Sequence, residues 1–342
     1  MLEPHVPRLG SSATPAVTPN HNRDMSNGAE TTALQQPTFS LKAPGTAVAH
    51  AGPRQNPRIV SVPTHCTEHV LELPEGADLF SALEASLTDF AVPGIMAEFV
   101  SGQFGHIDYV HPAYGPDAEH PMSFTESFSI DSPTELRHAS ATTGFREGVP
   151  FCHIHASWTG ADGETKGGHL LPGTLAGPAG LRIRLFALHD VQLISDVDPE
   201  TGFSAFAPTP TDRAVKTSES LETSDSPDAV VARVRPGEIL DEAVLAVCRT
   251  AGFESAEVVA SLGSTTGAVF TDGAAPWPAV EFTHLIGTVT GAQNTTPQIA
   301  LSGEVVDVAG EVCSGTLKPQ ANPVAVTFEL FVRRTDGPAR DN

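Results

Sequence analysis

At 342 residues the chain is longer than one hydrophobic core usually supports, which predicts two domains. Its 41 acidic against 19 basic side chains leave a net charge of −22, with no basic run or tail, which argues against nucleic acid as a partner because that binding rests on Lys and Arg neutralising phosphates. No apolar run nears the roughly 20 residues that span a bilayer, no apolar segment opens the chain as a signal peptide would, and four scattered cysteines form no CxxC pair, so a cytoplasmic, reduced protein without membrane contact is expected.

Residues 1–57 are rich in Pro, Ser, Thr, Ala, Asn and Gly and lack apolar periodicity, which predicts a disordered N-terminal arm. Met25, inside that arm, is an alternative first residue. A first domain is expected over 58–195. In it Val70, Leu71 and Leu73 suggest a strand entering a turn at Pro74 to Gly76. Leu79, Leu83, Leu87 and Phe90 recur at helical spacing until Pro93-Gly94 stops the pattern. "IMAEFVSGQFGHIDYV" reads as a strand interrupted by glycine, and strands continue to "LRIRLFALHDVQLI". Residues 196–227 lose periodicity and predict a linker, with Phe203 and Phe206 able to pack back on the first domain. A second domain follows over 228–335, with a tail at 336–342.

The second domain repeats the first. "AVVARVRPGEILDEAVLAVCRTAGFESAEVVASLG" again runs strand, Pro-Gly turn, helix, Gly, strand. Pro150 to Leu170 lies on Pro297 to Leu317 without a gap, at a constant offset of 147. Such a duplication is an internal control. Features kept in both copies, among them Gly163/Gly310, Gly168/Gly315, Glu98/Glu257, Glu135/Glu281 and His138/His284, read as scaffold. Glycines at such spots usually supply backbone conformations that other residues avoid.

The stretch "PFCHIHASWTGADGETKGGHLLPG" breaks that rule. It holds His153, His155 and His169, which become Ala300, Ser302 and Thr316 in the second copy while the frame around them is kept. His153 and His155 share one face of a strand by the i, i+2 rule, and Cys152 faces the other way. "TGADGET" is a turn signal, and a hairpin folded about Asp162-Gly163 sets His155 opposite His169. Cross-strand Cβ atoms are about 4.5–5.5 Å apart, so three imidazoles converge, with room beside them at Gly167 and Gly168. An isolated HxH is more often a partly exposed ladder on a sheet. The matched register and the loss in the second copy favour a metal site, with one divalent ion per chain, Zn²⁺ first among candidates that include Fe, Ni and Co. Three protein ligands leave a position open, the pattern of a catalytic site.

The same stretch resembles the signature of the plant and prokaryote conserved domain (PPC or PCC domain), with HxH on a strand, a Gly-containing turn and Gly-Gly-His-Leu; "LPEGADLFSALEASL" resembles its opening strand, turn and helix. The resemblance spans about residues 62–194, and a degenerate copy about 229–334. It implies an α/β (α+β) fold of two tandem domains, each a mainly antiparallel sheet with a flanking helix, assembled as a homotrimer. It implies His153, His155 and His169 as metal ligands, with no metal in the second copy. Plant members bind DNA through AT-hooks, which this chain lacks.

Further site candidates are specific to the first copy. His106, Asp108 and Tyr109 are replaced by Ser264, Thr266 and Gly267 and are candidate catalytic residues lining the site. Arg182 and Arg184, sharing a strand face, are candidate anchors for a substrate carboxylate, as is Lys166. Trp158 reads as core or interface. The favoured function is a metal-dependent enzyme of hydrolase, lyase or isomerase type acting on a small polar or carboxylated metabolite. A DNA-binding or regulatory protein of the PPC family, and a non-catalytic metal or metabolite binder, are the alternatives.

Overall fold

The computed structural model describes residues 37–212 and 226–335. Met25, most of the expected arm and the tail lie outside the described residues. The first half contains β1 (Ile59–Thr64), β2 (Cys66–Leu73), α1 (Leu79–Asp89), β3 (Gly94–Val110), β4 (Pro112–Tyr114), β5 (Met122–Phe124), β6 (Phe128–Ile130), β7 (Thr134–Arg146), β8 (Val149–Thr159), β9 (Thr165–Leu170), β10 (Leu175–Leu188), β11 (Val191–Val197) and β12 (Ser204–Pro210). The second contains β13 (Ala229–Val234), α2 (Leu240–Ala251), β14 (Ser255–Val258), β15 (Leu262–Thr265), β16 (Ala268–Val269), β17 (Ala274–Ala275), β18 (Val280–Thr290), β19 (Gln298–Val306), β20 (Val312–Thr316) and β21 (Val324–Arg334). The expected α/β character gives way to a mainly β molecule with two helices, because the apolar alternation that continues after each helix is spent on long antiparallel strands. None of its helices is long and apolar enough to cross a membrane, among the described residues.

The two halves share a strand order. Strands β2, β10, β3, β7, β8 and β9 neighbour one another in that order in the first sheet, and β13, β21, β14, β18, β19 and β20 do so in the second. The register repeats as well, since His155 pairs with His169 across β8 and β9, and Ser302 with Thr316 across β19 and β20. In each half the helix lays an apolar stripe on the sheet. Asp78 caps α1 by accepting from the Ser81 amide at 2.8 Å, and Leu79, Leu83 and Leu87 are buried beneath it. Gly102 lets β3 run on past a bulge at φ +124°, where a Cβ would stand 2.2 Å from the Gly180 carbonyl oxygen. The second half meets the same need by breaking the strand between β14 and β15.

The two halves interlock. Strand β1 pairs with β13 in the second sheet. Residues 37–57, expected as part of a disordered arm, pack on the second half: the Trp277 indole donates to the Thr46 carbonyl at 3.1 Å, and Phe39 meets the Trp277 ring edge-on at 6.0 Å. The expected linker carries β12, which pairs along its length with β11 and brings Phe206 against Phe151 at 5.7 Å. Met96, Phe186, Phe206, Val231, Leu262 and Phe331 form an apolar cluster drawn from both sheets. At about 1.5–3 kcal/mol per side chain buried, it binds the halves into one unit.

Candidate metal centre

Strand β8 separates two environments by its alternation. Cys152, Ile154 and Trp158 point into the core under α1. Burial pushes the Cys152 thiol up to about 12, with the Thr143 hydroxyl 3.4 Å away, and Cys152 is not among the converging nitrogen donors. The odd-numbered face meets the second half, where His153, His155 and Ser157 each find a buried glutamate. His153 Nδ1 lies 2.9 Å from Glu329 Oε1, His155 Nε2 lies 3.3 Å from Glu281 Oε1, and the Ser157 hydroxyl donates to Glu304. Glu304 also takes the Arg137 guanidinium at 2.8 Å.

The three imidazoles offer ring nitrogens that all lie within 4.8 Å of one another. The hairpin closes as the turn chemistry requires: the Gly160 amide donates to the Glu164 carbonyl at 2.8 Å, and Gly163 adopts φ +81°. Gly167 allows β9 to approach the second half, since a Cβ there would stand 2.4 Å from a Val306 methyl. His155, 2% exposed, has Nδ1 3.1 Å from the Phe282 carbonyl, so Nδ1 donates and Nε2 turns inward. His153, held by Glu329 through Nδ1, turns its own Nε2 inward, 2.9 Å from that of His155.

The electrostatics follow from this placement. Burial draws the His155 imidazole down, but the Glu281 carboxylate, the Phe282 carbonyl and Glu329 outweigh it and hold it above its ordinary value. His155 Nε2 stands 2.9 Å from His153 Nε2 and 3.3 Å from Glu281 Oε1, at the point where the ring nitrogens converge. Glu329 is held below the usual carboxylate range, because the adjacent His153 overcomes the cost of burial. His169 is driven well below its ordinary value by burial and by the neighbouring His153, His155 and Arg146. Its Nδ1 is buried without a hydrogen-bond partner.

These residues fit a metal ion. A neutral imidazole with an orphaned buried nitrogen, beside two imidazoles whose outer nitrogens are already anchored, is a donor set that a Zn²⁺-like cation satisfies. The site faces a cavity of about 390 Å³, within the size range of small-molecule sites, with walls that include Met122, Phe124, Phe151, Phe203, Phe206 and Leu171.

The other sequence candidates stand elsewhere. His106, Asp108 and Tyr109, expected to line the site, are corrected, for none is among the cavity residues. His106 and Asp108 share the opposite side of β3, where His106 Nε2 is 3.1 Å from Asp108 and its Nδ1 2.6 Å from Asp131. The bond to Asp108 raises His106, and the Ser129 hydroxyl lowers Asp108. Tyr109 points into the core, edge-on to Trp158 at 4.8 Å. Arg182, Arg184 and Lys166 are corrected too. Arg182 pairs with Glu72 at 2.9 Å, Arg184 with Glu98 at 3.2 Å, and Lys166 with Glu164 at 3.2 Å, all away from the cavity. Arg182 and Arg184 do share a strand face, but which face meets the cavity is chosen by packing. Glu135 bonds the Gln103 amide, and His138 stacks on His284 with ring centroids 4.3 Å apart.

Sequence reasoning passed over Glu329 and Glu304 and read Glu281 as scaffold. One signal was present: "VAVTFELFV" and "ALSGEVV" each place a lone acid in an apolar strand, and a buried carboxylate requires a partner. Arg146 was also missed. It is the one Lys or Arg among the cavity residues.

Residues 60–186 match the profile of the Plants and Prokaryotes Conserved (PCC) domain. No curated protein matches the chain. Among solved structures, a metal-containing protein of Archaeoglobus fulgidus is similar at 22% identity, over 43% of this chain and 97% of that one, with a TM-score of 0.36. A protein of Ralstonia eutropha JMP134 described as a candidate DNA-binding protein is similar at 20% identity, over 44% of this chain and 95% of that one, with a TM-score of 0.34. A plant- and prokaryote-conserved (PPC) protein of Pyrococcus horikoshii is similar at 15% identity, over 43% and 96%, with a TM-score of 0.35.

Proposed function

We propose that this chain, whose residues 60–186 are a PCC domain, is a metal-dependent enzyme of hydrolase, lyase or isomerase type that acts on a small metabolite through one zinc ion held by His153, His155 and His169. The observation that carries the reading is the convergence of three imidazoles within 4.8 Å, two of them anchored from behind by groups of the second half. When bound, the zinc supplies Lewis acidity to an oxygen of the ligand. The chain does the rest. Glu329 and the Phe282 carbonyl fix the tautomers and ring orientations of His153 and His155. Glu281, beside His155 Nε2, is placed to take a proton from the bound ligand and return it. Phe124, Phe151 and Phe206 keep water from the walls. The second half, having lost its own histidines, serves by supplying the carboxylates.

Metal analysis of the full chain tests this. One equivalent of zinc per chain is expected, and none after His169→Ala. Two equivalents, or none in the unaltered chain, would refute the assignment.

A further inference from the structure

Arg146 is the charged group of the cavity that the metal reading leaves unused. It ends β7, and its Nε and Nη2 donate to the Ser195 hydroxyl at 3.3 and 3.0 Å. The guanidinium plane lies 3.6 Å over the Phe151 ring, which holds it without using its edge. A guanidinium has five N–H donors, and those toward Ser195 occupy only part of that fork.

Its situation is unusual for this chain. Arg182, Arg184, Arg233 and Arg333 each stand against a carboxylate, as expected where 41 acids surround 19 bases. Arg146 has no carboxylate within ion-pair distance among the described residues, although it shares a cavity with Glu281 and Glu329. Those two are turned to His155 and His153. The second half adds an independent observation. Thr142 pairs with His153 and Thr288 with Ala300, but β7 runs on to Arg146 whereas β18 ends at Thr290, and no Lys or Arg stands in the turn at 291–297. The second half therefore has no counterpart of this arginine, as it has none of the three histidines.

The walls define the rest of the ligand. Phe124, Phe151, Phe206 and Met122 line a space of about 390 Å³. An inorganic anion would leave those walls bare, a cation would face Arg146, and a neutral apolar molecule would leave the fork unused. We propose that the cavity binds an organic monocarboxylate, its carboxylate on Arg146 and its aromatic or aliphatic body against the phenylalanines. With the zinc reading as premise, the ligand's reactive end then faces His153, His155 and His169.

The test is calorimetric titration of the full chain, zinc-loaded and zinc-free, with benzoate and with benzyl alcohol as the uncharged match. Benzoate is expected to bind more tightly than the alcohol. Its affinity should fall about tenfold or more in Arg146→Met, the scale of a lost charge-assisted pair. Arg146→Lys, which keeps the charge but loses the planar fork, should fall in between, and benzyl alcohol should respond to neither change. A structural role for Arg146 would lower thermal stability without separating the two probes. Equal benzoate affinity in Arg146→Met and the unaltered chain, or no preference for benzoate over the alcohol, overturns the proposal. If the chain takes up no zinc, the metal reading fails alone, and the zinc-free titration still decides Arg146.

Discussion

His284→Phe tests the energetic cost of the stacked pair between the halves. His284 is partly buried against His138, ring centroids 4.3 Å apart and 20° from parallel. Burial first, and then the neighbouring His138, draw it down from 6.5 to about 4. A histidine whose folded value is depressed binds a proton more readily in the unfolded chain, so its effect on stability appears below the unfolded value and grows as pH falls toward the folded one. Above about pH 7 the group is neutral in both states and contributes no pH dependence. At about 1.36 kcal/mol per unit, the fall from 6.5 to about 4 corresponds to roughly 3 kcal/mol when fully developed, and about 2.5 kcal/mol of it is lost between about pH 7.5 and pH 4.5. Phenylalanine keeps a flat ring against His138 but cannot take up the proton. Urea unfolding of both proteins at the two pH values isolates the contribution of the stacked pair, because the groups away from it are the same in each. The variant should lose about 2.5 kcal/mol less than the unaltered chain on acidification. Equal losses would refute the reasoning and place the pH sensitivity elsewhere.

Two further outcomes follow from the buried carboxylates. Glu329→Gln keeps the shape at His153 but removes the charge behind it, so zinc affinity measured against a competing chelator should fall about 10–100-fold with the fold intact. Asp198, whose side chain is 1% exposed, holds Arg233 at 2.6 Å and also bonds Arg235. Asp198→Asn leaves two arginines uncompensated at the junction of the halves, and urea unfolding should show a loss of about 3–5 kcal/mol.

How much was legible in the sequence varies with distance along the chain. Helix α1 was readable because Leu79, Leu83 and Leu87 repeat at 3.6 residues and Pro93-Gly94 ends the run. The hairpin of β8 and β9 was readable because a two-residue periodicity and one turn fix its register, and the structure pairs His155 with His169 accordingly. The antiparallel sheets, each with a helix, were as expected, but the helical share was overestimated, because apolar spacing reveals each helix but not how much chain the surrounding strands consume. Residues 37–57 were misread, and β12 was anticipated only as a segment whose Phe203 and Phe206 pack back on the first half, because little in their own composition says what pairs with them. Their order comes from Trp277, from Phe151 and from pairing with β11 in the first sheet.

By itself, then, the sequence determined the three histidines as one cluster, since the i, i+2 rule and the turn at Asp162-Gly163 are local constraints that hold in any fold containing that hairpin. Only the tertiary structure decided what surrounds them. The groups that anchor His155 and His153 lie 127 and 176 residues away in the chain, and they arrive because an apolar cluster packs one sheet on the other. The same packing decided which arginine faces the cavity. Alternation says that Arg182 and Arg184 share a side of β10, but the side that meets solvent and the acids of neighbouring strands was chosen by the core beneath, and Arg146 was turned inward for the same reason.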